Sequence, residues 1–194
     1  MINSPGKTSR KSIIVKPVGS FCNLRCDYCF YLEKKKLYAG TSSDHRMGLQ
    51  TVEKILRDMF ACSDEPTFVW HGGEPTLAGL DFFEEVMDMQ RHYAQGNAYA
   101  NALQTNGTLL NQEWADFLRK ENFLVGVSLD GPEHVHDQYR KDVQGKGTFS
   151  TVFENAKMLL HAQVPVNVLA TVNSYSAKHV EQIYRFFKRN KFGY

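Results

Sequence analysis

The sequence predicts an α/β fold built on a parallel sheet. Three observations support this: five short β-branched or aromatic-rich runs, five amphipathic helical patterns, and their strict alternation along the 194 residues. Such alternation is typical of a parallel sheet with right-handed crossovers. A doubly wound open sheet and part of a (β/α) barrel both satisfy the pattern, and periodicity alone does not separate them.

The five predicted strands are apolar runs bounded by Gly, Pro, Asn or Asp, which are the residues that favour turns. Each run is therefore expected to end where the chain can reverse into a helix. The strands are predicted at residues 12–18, 67–71, 98–105, 123–129 and 164–172.

Between these strands, apolar residues recur at spacings of three and four, as on one face of a helix. The helices are predicted at residues 49–60, at 80–94, after a capping Asn111, at 149–160, and from about Ser176 to Phe187. We expect the apolar stripes of these helices to form the core.

Length and composition favour a single globular domain. The mass is 22.2 kDa, and 42% hydrophobic with 23% charged residues argues against a disordered tail, a collagen and a coiled coil. We expect residues 1–11 to be an N-terminal tail and residues 12–194 to be one core domain.

The charge balance and the hydropathy bear on partners and location. A formal net charge of +2 argues against nucleic acid or an anionic membrane as the main partner. No stretch approaches the ~18 apolar residues of a membrane span. The early apolar run stops at Lys16, too soon for a signal peptide. We therefore expect a cytoplasmic protein, whose thiols stay reduced.

A cysteine loop with the spacing C-x3-C-x2-C directly follows the first predicted strand. It contains Cys22, Cys26 and Cys29, three of the four cysteines. Disulfide frameworks spread their cysteines to close loops, so this clustering predicts a metal site.

Several kinds of metal site are possible. A structural zinc needs a fourth ligand, and Cys62, His45 and His71 are candidates, although none has a paired spacing. A ferredoxin needs a four-cysteine pattern that is absent. The remaining alternative is a 4Fe–4S cluster with three protein thiolates and one iron open to a small molecule. We interpret Cys62 as a buried small hydrophobic residue at the end of the first helix.

The cysteine loop, with aromatic Tyr28 before its last cysteine, resembles the signature of radical S-adenosylmethionine (SAM) enzymes. The resemblance implies that Cys22, Cys26 and Cys29 hold a 4Fe–4S cluster whose open iron binds SAM, with Tyr28 beside the adenine. In that family, reductive cleavage of SAM yields methionine and a 5′-deoxyadenosyl radical that abstracts a hydrogen from the substrate. The resemblance also implies a partial (β/α) barrel.

Two further groups of residues match the same family. Gly72 and Gly73 permit close approach to the backbone, and Glu74 offers an acceptor; by resemblance, the three hold the ammonium group of SAM. By resemblance too, Ser128 and Arg140 contact the ribose and the carboxylate, to which a hydroxyl and a guanidinium are suited. His71, just before the glycines, could be a ligand, a substrate contact or a polar residue of the cavity.

The position of the motifs favours the barrel. The cysteine loop, Gly-Gly-Glu, Thr-Asn-Gly and Ser-Leu-Asp-Gly each follow one of four successive predicted strands. Parallel barrels build their active sites at the carboxyl ends of their strands. We therefore predict a partial (β/α) barrel that stops after about five βα units.

Over residues 12–194 the motifs most resemble the anaerobic sulfatase-maturating enzymes, which oxidise a Cys or Ser of a sulfatase to formylglycine by removing a Cβ hydrogen. This implies a protein or peptide substrate and an external electron donor. Such enzymes continue into a sixth strand and a Cys-rich domain with auxiliary clusters, which we expect this chain to lack, and we nominate no general base. The alternatives are another peptide-modifying radical enzyme and, in a different class, a zinc-stabilised binding module.

Overall fold

The computed structural model describes residues 10–34 and 46–192. Within these residues, five strands form one parallel sheet in the order β1-β2-β3-β4-β5, which confirms the predicted α/β class. The strands are β1 (Ser12–Val15), β2 (Thr67–Trp70), β3 (Ala100–Thr105), β4 (Leu124–Ser128) and β5 (Val166–Leu169).

The five predicted helical regions are all present. The helices of the structure are α1 (Tyr31–Lys34), α2 (Leu49–Cys62), α3 (Leu80–Ala94), α4 (Gln112–Lys120), α5 (Glu133–His136), α6 (Phe149–His161) and α7 (Val180–Arg189). The predicted regions correspond to α2, α3, α4, α6 and α7, and a 3-10 turn at Ser176–His179 precedes α7. The short helices α1 and α5 and a 3-10 turn at Pro75–Ala78 were not predicted.

The strands are shorter than the apolar runs that predict them. β1 stops at Val15 instead of residue 18, because a turn begins at Lys16 and is closed by a hydrogen bond from the Gly19 amide to the Lys16 carbonyl (3.1 Å). Gly19 has a φ of 58°, a conformation that glycine adopts without steric cost. The residues after β1 are thus free to form a loop instead of extending the sheet.

The strand order selects the barrel over the doubly wound sheet. Each strand pairs with the next one in the chain, and crossovers of this kind are right-handed, so successive helices lie on the same face. A doubly wound sheet would place helices on both faces. The described sheet is open, since β1 and β5 each pair with only one strand.

The helix-covered face of the sheet holds the core. Phe68, Trp70 and Leu103 are buried there, and α3 and α4 add aromatic side chains. The Phe83 ring meets both Trp70 and Trp114 edge to face, with centroids 5.4 Å apart in each pair. Aromatic pairs in this geometry stabilise the core beyond the area they bury.

The opposite face carries polar groups. Gly126 of β4 leaves space for the side chain of Gln104 on β3, with which a Cβ at position 126 would overlap. Gln104 Nε2 donates to Ser128 Oγ at 3.2 Å. A strand glycine here admits a polar side chain onto the concave face of the partial barrel.

Part of the sequence predictions lies outside the described residues: most of the N-terminal tail (residues 1–9) and His45 as a zinc ligand. No helix among residues 10–34 and 46–192 is long and apolar enough to cross a membrane.

Candidate active site

The cysteine loop, residues 22–29, follows β1 at the carboxyl edge of the sheet. Its cysteines form no disulfide; Cys26 is buried, and Cys22 and Cys29 are half-buried. The loop curls on itself, with hydrogen bonds from the Cys29 amide to the Cys26 carbonyl (2.9 Å) and from the Leu24 amide to Cys22 Sγ (3.4 Å). The loop therefore brings three thiols to the same edge of the sheet within eight residues of sequence.

The Cys26 thiol is affected by its burial and by the charges around it. Burial raises the pKa of Cys26 to about 11; Arg140 opposes this shift, while Cys22 and Cys29 add to it. Such a thiol stays protonated at neutral pH until a metal displaces its proton, since cysteine binds metals as the thiolate.

The glycine pair lets the segment just before the cysteine loop and the turn after β2 approach each other. The Gly73 amide donates to the Gly19 carbonyl (2.9 Å), and the Glu74 amide donates to the Phe21 carbonyl (2.8 Å). A Cβ on Gly72, which has a φ of 123°, would lie 2.6 Å from the Gly19 carbonyl oxygen, and one on Gly73 would overlap the Phe21 carbonyl. The chain's own backbone thus requires both glycines.

Glu74 is fully buried and accepts four hydrogen bonds. The donors are the Thr76 amide (3.1 Å) and hydroxyl (2.6 Å), the Thr105 hydroxyl (2.7 Å) and the Asn106 amide (2.6 Å). Burial raises the pKa of Glu74, and these hydrogen bonds lower it. A carboxylate has about four acceptor positions, so this one ties the ends of β2 and β3 together. Its role toward an ammonium group stays a prediction.

The Thr-Asn-Gly turn after β3 fastens the start of the cysteine loop. Asn106 Nδ2 donates to Asn23 Oδ1 (2.9 Å) and lies 3.6 Å from Cys22 Sγ. Asn23 Nδ2 in turn donates to Thr108 Oγ1 (2.8 Å). The position of Cys22 is therefore set by side chains that come from the end of the third strand.

Asp130 joins two of the predicted cofactor residues. Its Oδ2 accepts from the Tyr28 hydroxyl and from Arg140 Nε, both at 2.8 Å. Its Oδ1 accepts from Arg140 Nη2 (3.2 Å) and from the Thr171 amide (2.8 Å). The Arg140 guanidinium carbon also lies 5.5 Å from the centre of the Tyr28 ring. Burial raises the pKa of Tyr28, so its hydroxyl stays a hydrogen-bond donor.

His136 lies behind this group and is fully buried. Its Nδ1 accepts from the Asp130 amide at 3.3 Å, and its Nε2 lies 3.1 Å from Thr148 Oγ1. Burial, reinforced by Arg140, lowers the pKa of His136 to about 4. The imidazole is therefore neutral at physiological pH.

The other predicted residues lie apart from the Asp130 group. Ser128 bonds with Gln104 on the concave face. His71 is half-buried, its Nδ1 accepts from the Gly72 amide (2.5 Å), and burial lowers its pKa. Cys62 is half-buried against the core, not fully buried as predicted. It ends α2 just before β2 begins, and so lies at the amino edge of the sheet, away from the cysteine loop. Among the residues that the structure describes, no three His, Cys, Asp or Glu side chains are grouped to hold a single metal ion.

Sequence reasoning missed the residues that hold the site together, namely Asp130, His136, Thr105 and Asn106. Thr105, Asn106 and Asp130 belong to motifs that the sequence analysis placed after the third and fourth strands, but no individual role was predicted for them. The available signal was their position directly after a predicted strand, where parallel sheets gather functional side chains.

The donor set fits an iron–sulfur cluster. Three thiols on one loop are soft ligands of the kind that such clusters use. A guanidinium and a polar concave face lie beside the loop, where a charged small molecule could be bound. An open parallel (β/α) sheet with this loop at its carboxyl edge defines a class of cluster-binding partial barrels.

Comparison with known families agrees. The model of the radical SAM superfamily matches residues 17–187, and the chain belongs to that superfamily, which uses a 4Fe–4S cluster and SAM.

Curated relatives narrow the family. The chain is 43% identical over 178 residues to the serine-type anaerobic sulfatase-maturating enzyme of Bacteroides thetaiotaomicron. The aligned region covers 91% of this chain and 43% of the relative. It is 40% identical over 183 residues to the cysteine-type enzyme of Clostridium novyi, with coverage of 93% and 49%. The chain spans about half the length of these relatives.

Solved structures agree with the fold. A structure described as native anSMEcpe with bound AdoMet and Cp18Cys peptide matches with a TM-score of 0.86 and 40% identity, covering 95% of this chain and 49% of that one. Streptococcus suis SuiB bound to S-adenosylmethionine matches with a TM-score of 0.63 and 17% identity, which is a likeness of fold alone.

Proposed function

We propose that this chain is the radical-generating core of an anaerobic sulfatase-maturating enzyme, which uses SAM to oxidise a Cys or Ser of a sulfatase to formylglycine. The observation that carries the proposal is the set of three thiols on the loop after β1, beside the buried Arg140–Asp130 pair. The identity to maturating enzymes of both the serine and the cysteine type supports the substrate class.

Cys22, Cys26 and Cys29 would hold the 4Fe–4S cluster. When bound, that group supplies the electron that cleaves SAM to methionine and a 5′-deoxyadenosyl radical. The protein would fix the position of the cysteine loop. Asn106 bonds with Asn23 and lies beside Cys22, and the glycine turn bonds with the segment before the loop.

The remaining predicted residues would recognise SAM. The Arg140 guanidinium suits the carboxylate, and the Tyr28 ring offers a surface for the adenine. Ser128, on the concave face with Gln104, would pair with the ribose. Gly72 and Gly73 place backbone groups close to the cysteine loop, where the ammonium group is expected.

The proposed oxidation removes two hydrogens from the target side chain. One leaves Cβ as a hydrogen atom to the radical, and the other leaves as a proton while an electron passes to a one-electron acceptor, an auxiliary iron–sulfur cluster of the kind that the maturating enzymes carry. Serine then gives the aldehyde directly, whereas cysteine gives it after water displaces the sulfur as hydrogen sulfide. An external donor supplies the electron that starts the reaction, and we assign no general base in this chain.

We further propose that residues 12–194 act as one domain with a protein or peptide partner in the cytoplasm. A reducing compartment would keep the three thiols available for the cluster. The near-neutral charge supports a protein partner over nucleic acid or a membrane surface.

Anaerobic reconstitution of the full chain with iron and sulfide tests the radical chemistry. We expect a cluster absorbance in the visible range and, with dithionite and SAM, formation of 5′-deoxyadenosine. Cys26→Ala should abolish both, whereas Cys62→Ala, at the opposite edge of the sheet, should change neither. A well-formed cluster without 5′-deoxyadenosine would overturn the proposal, and stoichiometric zinc without iron after anaerobic preparation would favour the binding module.

Sulfatase-derived peptides test the substrate class. A peptide with the target Ser should lose the mass of two hydrogens, and its Cys counterpart should give the same aldehyde. Because the oxidation needs an electron acceptor, the peptides are offered to the chain joined to the Cys-rich domain of a maturating enzyme. If 5′-deoxyadenosine forms there while neither peptide changes in mass, the sulfatase assignment is wrong and another peptide-modifying radical enzyme is favoured.

A further inference from the structure

The Asp130 carboxylate connects three segments that are far apart in the chain. It accepts from Tyr28 of the cysteine loop, from Arg140 after α5, and from the Thr171 amide after β5. The side chains of Arg140 and Asp130 are only 10% and 2% exposed. The carboxylate therefore fixes the relative position of Tyr28 and Arg140, and it compensates a buried positive charge.

A directional chain of hydrogen bonds holds Arg140 from its other end. Because the Asp130 amide donates to His136 Nδ1 (3.3 Å), the proton of the neutral ring is on Nε2, which donates to Thr148 Oγ1 (3.1 Å). The Thr148 hydroxyl then donates to the Arg140 carbonyl (3.0 Å). The Asp130 carboxylate thus binds the Arg140 guanidinium. The Asp130 amide is connected, through His136 and Thr148, to the Arg140 backbone carbonyl.

This arrangement leaves one edge of the guanidinium available. Arg140 has five N–H donors. Nε and Nη2 bond with Asp130, and Nη2 also lies 3.4 Å from Thr171 Oγ1. Within residues 10–34 and 46–192, Nη1 makes no hydrogen bond. An arginine held at one edge presents its other donors in a fixed direction, which is what recognition of a carboxylate requires.

We propose that Asp130 is a positioning residue for SAM binding, which orients Arg140 and Tyr28 and is itself held by the His136–Thr148 chain. The inference rests on the proposed function, because it assumes that Arg140 and Tyr28 meet SAM. Asp130 does not touch SAM in this account; it acts through the two residues that do. Its loss should weaken SAM binding while the thiol ligands of the cluster stay in place.

The test compares Asp130→Asn with the matched control Asp137→Asn in the full chain after anaerobic reconstitution. Asp137 lies six residues beyond Gly131, and its Oδ1 accepts from the amides of Thr148 and Phe149 (both 2.8 Å) at the start of α6. Both substitutions remove one buried or half-buried charge from the same region, but only Asp130 contacts Arg140. The readouts are iron and sulfide content, thermal stability, and the Kd of SAM by equilibrium dialysis.

We expect Asp130→Asn to weaken SAM binding about 10-fold to 100-fold with unchanged iron content, as is typical when a supporting residue is lost. The electron paramagnetic resonance signal of its reduced cluster should respond to SAM only at higher concentration. In Asp137→Asn the new amide oxygen can still accept from the Thr148 and Phe149 amides, so Thr148 stays in place and the variant should lower thermal stability with an unchanged Kd. Equal Kd values for wild type and Asp130→Asn, or equal weakening by both variants, would overturn the inference.

A second pair of variants keeps the test decisive if Asp130→Asn does not fold. Thr148→Val removes the hydroxyl that joins His136 to Arg140, and Thr148→Ser keeps it. We expect about twofold to tenfold weaker SAM binding for Thr148→Val, the value of one buried hydrogen bond, and wild-type binding for Thr148→Ser. Equal SAM Kd values for these two variants would contradict the role of the His136–Thr148 chain in holding Arg140.

A double variant tests whether Asp130 acts through Arg140. In an Arg140→Gln background, Asp130→Asn should cause little further loss of SAM affinity, since the residue through which it acts is gone. Additive losses would overturn the positioning role. If the wild-type protein with an intact cluster does not bind SAM at all, the proposed function fails instead.

Discussion

Two buried carboxylates lie at the carboxyl edge of the sheet, and their surroundings differ. Glu74, after β2, accepts four hydrogen bonds from neutral groups of Thr76, Thr105 and Asn106. Asp130, after β4, pairs with the Arg140 guanidinium. The Glu74 carboxylate thus connects the ends of β2 and β3, whereas the Asp130 carboxylate orients the Arg140 guanidinium.

The difference in charge has a consequence for ligands. Among the described residues, the hydrogen-bond partners of Glu74 include no cation, and burial raises the pKa of this carboxyl. A ligand ammonium near the turn would supply the opposite charge without needing a further hydrogen bond to the carboxylate. Asp130 already has its cation, so its turn favours a ligand anion, which would meet Arg140.

The largest expected effect is at the glycine turn that carries Glu74. Gly73→Ala places a Cβ where the Phe21 carbonyl lies, so the cysteine loop must move away from the turn. We expect a loss of about 4 kcal/mol or more in the free energy of unfolding, together with loss of the cluster. Denaturant titration and iron analysis check this. The control is Gly48→Ala, where a Cβ meets open space; normal iron content in Gly73→Ala would show that the two loops need not touch.

Removing the Glu74 carboxylate comes next. Glu74→Ala leaves buried donors of Thr105 and Asn106 without an acceptor, so we expect the free energy of unfolding to fall by about 3 kcal/mol or more. Denaturant titration measures it, with Glu85→Ala on the exposed face of α3 as a control that should stay within about 0.5 kcal/mol. A small effect of Glu74→Ala would mean that the carboxylate serves the ligand more than the fold.

The Asp130 turn should respond to acid through His136. The pKa of His136 is about 4 in the folded protein and near 6.5 in the unfolded chain, so the unfolded state binds the proton first as the pH falls. Stability should therefore be fully present above about pH 6.5 and fall by up to about 3 kcal/mol toward pH 4. Other groups titrate in this window, so the measurement is the difference between wild type and His136→Asn. Parallel pH curves for the two proteins would contradict a buried neutral His136.

An exposed ion pair provides the smallest expected effect. Glu181 and Arg185 pair on the surface of α7, with side chains 73% and 70% exposed, in contrast to the buried pair of Asp130 and Arg140. Glu181→Gln should change the free energy of unfolding by less than about 0.5 kcal/mol. Thermal unfolding at low and high salt checks this, and a larger loss would mean that α7 depends on its surface charges.

Local patterns were sufficient where the cause is local. Alternating periodicities predicted the βα order, and Asn111 does cap α4, accepting from the Trp114 amide at 3.0 Å. Strand lengths were overestimated: β5 covers Val166–Leu169, not residues 164–172. The apolar run shows which residues suit a strand, but the pairing partner decides how many of them form the ladder.

The order of the elements and the three-thiol loop follow from the sequence, because periodicity and covalent spacing act over a few residues. Which side chains meet at the carboxyl edge depends on the tertiary structure. Tyr28 and Asp130 are 102 residues apart in the chain, and Thr171 lies 41 residues beyond Asp130. Their contact depends on the order of the strands in the sheet, which brings the ends of distant strands together. No local pattern encodes this contact, and so the sequence analysis assigned no role to Asp130.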